Sequence, residues 1–464
     1  MKKALAQEIE SPKMLIMVAL FLFLPLGFRP SFELFGATVR LSQLAGIALI
    51  IITAPQIYKS RLDWLRTPWI FISGFMIVSV LSSMFALSRG EAFITSAFYG
   101  FAFLLAYAVS KSFELKNSAA YKVIIYISGV SVALFCVYQF VADSLGASST
   151  YTLLLAPYTK EIFGFPRIQG FSLEPLHLAN YLLIPYSLAI SEYLISAKKS
   201  RLVLATAFLS TIILTVARGA YLAVGAVLII SIATLLLKRQ WGRILGLVCS
   251  VLLAGTLAVT LITGSGLVAG RQMAKTIVPE NSRPNLPTQE VSVEGNATRL
   301  IYHVDSFGSD LSYLDRIKTI EKALELGASK PLLGVGPGNF GPYVVANEPG
   351  SYGDPAQVVN NEPAEIFAET GVVGLALMLL FITWLVRAVI KYRKKQSSVE
   401  SKIWLYACSL MILGFVVQWQ TFSTLYITHI WVMIGVLLSI VLDGSKREGV
   451  DEKSKKLRQT KSKS

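Results

Sequence analysis

The stretch "NNEPAEIFAETGVVGLALMLLFITWLVRAV", Asn360 to Val389, decides the fold. Asn361 can accept the first unpaired amides of a helix, and the fixed φ of Pro363 fits a first turn. Glu362, Glu365 and Glu369 follow at spacings of three and four, so their carboxylates stack on one helical face. Beyond them the run is apolar and long enough to cross a lipid core of about 30 Å. Acids at the mouth of a hydrocarbon helix mark a membrane span entered from a polar surface. Capping and dipole matching account for one or two acids, and a column of three suggests a partner: Arg316, Arg218 or sugar hydroxyls.

The same signal recurs along the 464 residues, 54% of them hydrophobic and only 15% charged. Backbone cannot stay unsatisfied in lipid, so each apolar block is read as a helix. The spans fall at about 14–30, 38–55, 67–86, 91–110, 119–143, 174–196, 202–217, 219–237, 243–264, 364–386, 403–420 and 424–442. The expected class is an all-α polytopic membrane protein with about twelve transmembrane helices. With both termini in the cytosol, the inward segments hold 29 of the 43 Lys and Arg residues. The outward stretch 264–362 carries 8 basic against 11 acidic residues. The net charge of +15 therefore reports topology and attraction to anionic lipid, and excludes nothing but the nucleic-acid reading, for which no motif is present.

Four segments follow. Residues 1–264 form a membrane bundle of nine spans, 265–362 a large extracytoplasmic loop, 363–442 three further spans, and 443–464 a basic cytosolic tail whose composition is that of a disordered segment. A structureless loop of that length is unusual, so part of it should fold. "VPENSRPNLPTQEVSVEGNATRL" reads as irregular, whereas "SYLDRIKTIEKALELGASKP" predicts an amphipathic helix over 311–326, with Ser312 and Asp315 as a capping box and Gly327 and Pro331 as its stop.

No Asp, Glu, Lys or Arg lies near the middle of any span, which argues against an ion-coupled transporter. The charges sit at the outer ends. Arg218 in "LTVARGAYLA" holds a two-residue reversal between spans; a lone Arg there is often an interfacial anchor, but Arg167 and Arg316 are also external. The guanidinium fork suits a diphosphate because it donates paired hydrogen bonds and keeps its proton. In "RIQGFSLEPLHLANYL", Glu174 is either a helix-dipole carboxylate or a general base for a sugar hydroxyl. His177 is a rival base or a packed side chain. "GVGPGNFGPY" lacks the flanking strand of a dinucleotide fingerprint, so Gly336 and Gly338 read as a turn that lets backbone approach a helix or a phosphate.

Three stretches in this order, "TVARGAYLA", "LDRIKTIEKALELGASKPLLGVGPGNF" and "NNEPAEIFAETGVVGL", resemble the O-antigen ligase and polymerase superfamily of bacterial membrane glycosyltransferases. The resemblance implies a GT-C-like bundle in the bacterial cytoplasmic (inner) membrane, acting outside it on undecaprenyl-diphosphate-linked glycan as donor and acceptor. No cofactor, nucleotide sugar or metal is implied, and the implied partners are membrane lipid and a chain-length regulator or other polysaccharide-assembly proteins. By match, Arg218 and Arg316 carry the diphosphate, with Arg167 beside them. Glu174 and then Glu365 are the candidates to activate the acceptor, and Gly336, Gly338, Asn361, Glu362 and Glu369 support the site. The superfamily's ligases show His-Asn where this chain has Asn360-Asn361, so polymerase is preferred. A ligase moving finished polymer is the alternative, and a glycolipid or small-anion transporter the second.

Overall fold

The computed structural model describes residues 12–34, 37–275, 311–347, 354–394, 396 and 398–442. The irregular excursion and the basic tail read from the sequence lie outside the described residues. The chain is an all-α polytopic membrane protein, and 78% of the described residues are helical.

Among the described residues, each of the twelve apolar blocks carries a helix. They are α1 (Pro12–Phe23), α2 (Leu41–Lys59), α3 (Trp69–Met84), α4 (Arg89–Ser112), α5 (Ser118–Ser144), α6 (Pro175–Ser196), α7 (Lys199–Leu214), α8 (Arg218–Leu237) and α9 (Trp241–Lys275). After α10 (Leu311–Ser329) and α11 (Phe340–Asn347) come α12 (Glu362–Tyr392), α13 (Val399–Gln418) and α14 (Thr428–Leu442). Eight of these are long and apolar enough to cross a membrane unaided. Apolar side chains such as Ile51, Ile229 and Leu252 remain exposed on them, as a surface solvated by lipid requires.

Local chemistry departs from the hydropathy pattern in two places. Between α1 and α2 the chain forms an antiparallel hairpin, β1 (Ser31–Leu34) and β2 (Ala37–Arg40), with Phe32 opposite Val39. The first helix accordingly stops at Phe23 instead of running to residue 30. "SFEL" alternates polar and apolar residues, a period of two that suits a strand. The predicted external helix exists as α10, but begins at Leu311, ahead of Ser312, and continues through Gly327 to Ser329. Gly327 is a packing site, not a stop: a Cβ there would enter the Phe367 ring. Pro331, which cannot continue the ladder, ends the element.

Two compact units make up the chain. The first comprises residues 1–24, 41–124 and 315–464. Within it α3 packs against α12 and α4, and α2 against α1 and α4. Ion pairs Lys111–Asp63 (2.8 Å) and Lys122–Glu400 (2.7 Å) tie helix ends together. The second comprises residues 25–40 and 125–314. Its core is α6, buried along almost its whole length and packed by α7 and α8, with α9 against both α7 and α8. Pro185 inside α6 removes a ladder donor, and Gly129 of α5 leaves room for its ring. Glu192, 2% exposed, is paired with Arg201 at 2.6 Å and accepts from the Tyr126 hydroxyl at 2.8 Å. That pairing is what permits a carboxylate inside an apolar helix.

Candidate functional site

In the first unit the site is organised by a break in α12. Asn360 enters in the left-handed region (φ 59°), which Asn tolerates, and Asn361 accepts from the Ala364 amide at 3.0 Å. The helix is interrupted at Gly371 (φ 67°, ψ −170°), so the three acids occupy a short segment ahead of the long apolar one. The loop Pro331–Asn339 fills the break. Val335 donates to the Ala368 carbonyl and Gly336 to the Glu369 carbonyl, both at 2.9 Å, while Val372 donates to Pro331 at 2.7 Å. The Ser82 hydroxyl donates to the same Glu369 carbonyl at 2.9 Å. The groups orphaned by the break are thus paired by protein. Gly336 (φ 104°) lies against Ala86, leaving no space for a side chain. Asn339, fully buried, accepts from the Ser88 amide at 2.7 Å and donates to the Ser88 carbonyl at 3.2 Å, fastening the loop to the start of α4.

Backbone amides take up the column of acids. Glu362 accepts from the amides of Thr424 and Leu425. Glu365 accepts from the Val359 amide at 2.8 Å and the Ser423 hydroxyl at 2.6 Å. Glu369 accepts from the amide of Phe340 at 3.4 Å. All three are buried. The partners expected from the sequence were a guanidinium or a sugar; the ones found here hold the non-helical link between α13 and α14, the segment leading into α12 and the glycine turn in place. A buried carboxylate suits this work because each of its oxygens accepts strongly from N–H. Arg316, half-buried on α10, joins the same framework: Thr319, one turn later, donates to the Val359 carbonyl at 2.9 Å, and Val359 is the residue held by Glu365. Arg316, Gly336, Gly338, Asn361, Glu362, Glu365 and Glu369 therefore share one unit.

Arg167, Glu174, His177 and Arg218 belong to the other unit. Here α7 turns into α8 through Thr215, Val216 and Ala217, with Val216 at φ 49°, a strained value for a β-branched residue. Arg167 clamps this turn, donating to the carbonyls of Thr215 (3.3 Å) and Val216 (3.1 Å). The Tyr221 hydroxyl donates to the Ile213 carbonyl at 2.7 Å. Arg218 is the first residue of α8, half-buried, where amide groups and the helix dipole favour an anion. Glu174 stands at the N-cap of α6, yet its side chain does not cap that helix. Its charge is felt by Arg167 and by Tyr158. Burial lowers the Arg167 pKa and the neighbouring Arg218 charge acts in the same direction, against Tyr158, Tyr221 and Glu174. A guanidinium remains charged under these conditions. Burial, then Glu174, pushes the Tyr158 hydroxyl up to about 12, so it stays a neutral donor. His177 is half-buried one turn along α6, within electrostatic reach of Arg40.

The structure thus brings Arg167, Arg218 and Glu174 into one electrostatic cluster. Ser82, Thr319, Asn339, Ser423 and Tyr221 were not singled out from the sequence. Hydroxyls embedded in apolar runs such as "VLSSMFA" and "TFSTLYIT" were the available signal. Replacing Arg167 with Ala is expected to leave two backbone carbonyls of a strained turn unpaired, at a cost of about 1–3 kcal/mol. Thermal unfolding in detergent should show a lowered midpoint, and Arg167→Lys should recover part of it.

Residues 202–379 match the profile of the O-antigen ligase family. The matched segment contains Arg218, Arg316, the glycine turn and the three acids; Arg167, Glu174 and His177 precede it. It supports the O-antigen ligase/polymerase superfamily. No curated protein matches the chain.

Proposed function

We propose that the protein polymerises undecaprenyl-diphosphate-linked oligosaccharide repeat units on the outer face of the bacterial cytoplasmic membrane, both termini lying in the cytosol. The observation that carries this reading is Arg218 at a helix N-terminus, set by a turn that Arg167 clamps, with Glu174 within electrostatic reach. A hydroxyl of the acceptor unit attacks the anomeric carbon of the donor. The new glycosidic C–O bond forms as the bond to the donor diphosphate breaks, and the hydroxyl proton passes to a carboxylate. Arg218 stabilises the charge that develops on the departing undecaprenyl diphosphate, a role suited to a preorganised cation in a site of low water content. The resemblance alone assigns Arg316 to the same ligand. Glu174 is preferred over Glu365 as base, because its charge acts on Arg167 in the cluster that holds Arg218, whereas Glu365 belongs to the other unit.

Incubating the purified protein in liposomes with lipid-diphosphate-linked units should yield longer glycans and free undecaprenyl diphosphate without nucleotide sugar. Glu174→Gln should slow that turnover, while Glu365→Gln, which keeps an accepting oxygen for Val359, should not. The name of the matched family favours a second reading, ligation of finished polymer to a lipid or protein acceptor. A product carried on an added acceptor, with no lengthening, selects it. Movement of intact glycolipid without either product selects a transporter.

A further inference from the structure

In the second unit, the ends of α6 and α8 and the starts of α7 and α9 meet at the pole opposite Arg218, because two short links close consecutive helical hairpins there. Between them lies a cavity of about 530 Å³ lined by Tyr193, Lys199, Arg239, Gln240, Trp241 and Arg243. The lining contains three cations and no carboxylate. Inward-facing positive charge is expected of membrane proteins in general, and it accounts for the number of basic residues at this end. It does not account for the way the cavity is built.

Arg243 is half-buried and held: its Nη1 donates to the Leu194 carbonyl at 2.7 Å, and its own carbonyl accepts from the Tyr193 hydroxyl at 3.3 Å. That hydroxyl occupies the space a side chain on Gly246 would take. The carbonyl of Gln240 accepts from the amides of Arg243 (3.0 Å) and Ile244 (3.2 Å), starting α9 over the cavity. The Gln240 Oε1 is shielded from solvent and accepts no hydrogen bond from the described residues. The cavity therefore offers positive charge together with one buried acceptor that lacks a donor. Of the lining, Trp241 is 66% exposed; Leu237 and Leu245, four residues to either side of it in the chain, are 88% and 64% exposed. Tryptophan with aliphatic neighbours is the composition of a membrane interface.

We propose that this cavity binds the headgroup of an anionic phospholipid that also carries hydroxyl donors, as phosphatidylglycerol does. The phosphodiester is held by Lys199, Arg239 and Arg243, a headgroup hydroxyl donates to Gln240, and the acyl chains lie along Leu237, Trp241 and Leu245. A phosphate group is the chemistry recognised, and the exposed Trp241, Leu237 and Leu245 favour the lipid over the free ion. The site is independent of the glycan reading, since it lies at the other end of the helices from Arg218.

The test is lipid retention by the full-length protein in nanodiscs made of phosphatidylcholine with a minor fraction of phosphatidylglycerol, read by native mass spectrometry after gentle delipidation. Wild-type protein should retain phosphatidylglycerol in preference to phosphatidylcholine. The pair Lys199→Gln with Arg239→Gln should weaken retention roughly tenfold or more, the loss expected of two basic contacts at a lipid surface. The pair Lys198→Gln with Lys238→Gln removes the same charge beside the cavity without touching its lining, and should retain the lipid. The pair Lys199→Arg with Arg239→Lys keeps the charge and should retain it too. Equal loss in both Gln pairs, or no preference for phosphatidylglycerol in the wild type, overturns the proposal. Displacement of the lipid by inorganic phosphate at low millimolar concentration assigns the cavity to a free anion and overturns it as well.

Discussion

Arg218→Ala is expected to lower glycan transfer by about 10²- to 10³-fold, the usual cost of removing a preorganised group that stabilises developing negative charge. The side chain is well placed for so large an effect. It opens α8, its turn is pinned by Arg167 and Tyr221, and it is half-buried, so water does not replace it cheaply. The clamp hydrogen bonds run from Arg167 and Tyr221 to residues 213–216 and are kept in the variant, and its yield in the membrane, measured alongside, separates lost transfer from lost fold. Arg218→Lys keeps the charge but loses the paired donors and should recover only part of the rate. In a host that makes the surface glycan, a gel separates the outcomes. Loss of a polymerase leaves single repeat units on the acceptor, whereas loss of a ligase strands long polymer on undecaprenyl diphosphate. An unchanged ladder removes Arg218 from the mechanism.

The second large effect is on folding. Gly371→Ala is expected to destabilise the protein by about 2–5 kcal/mol, the sum of placing a side chain in left-handed backbone and of overpacking. A Cβ at Gly371 would meet the backbone of Leu332 and Leu333, which cannot swing aside as a side-chain tip could. Moving that backbone breaks the hydrogen bonds from Val335, Gly336 and Val372 that pair the interrupted helix. The expected readout is a sharply lowered yield of folded protein and a lowered unfolding midpoint in detergent. Gly255, where a Cβ meets nothing within 4 Å, serves as the control, and Gly255→Ala should be neutral. A stable Gly371→Ala protein would show that the break in α12 is not imposed by close packing.

The two effects mark the line between what was legible in the sequence and what was not. Each apolar block predicted a helix, and a helix is found at each, since lipid leaves backbone hydrogen bonds no other local solution. The cap at Asn361 and the stop before Pro331 were equally local. The break at Gly371 was not. Its sequence, "ETGVVGL", reads as an uninterrupted span, and only a loop arriving from residues 331–339 supplies the amides that make an interruption tolerable. Gly327 misled for the same reason: its role is set by Phe367, forty residues later.

The acids divide in the same way. Spacing alone placed Glu362, Glu365 and Glu369 on one face, because helical periodicity is a property of the chain itself. Which donors meet them could not be read there, since Thr424, Ser423, Val359 and Phe340 reach them only once several helices have packed. Sequence by itself determined the class, the helices and where the charges lie, because hydropathy and periodicity act over one turn or one span. Tertiary structure alone decided which buried polar atoms pair. Hydrogen bonds are short-ranged, and the chain must bring distant segments within about 3 Å before any of them forms.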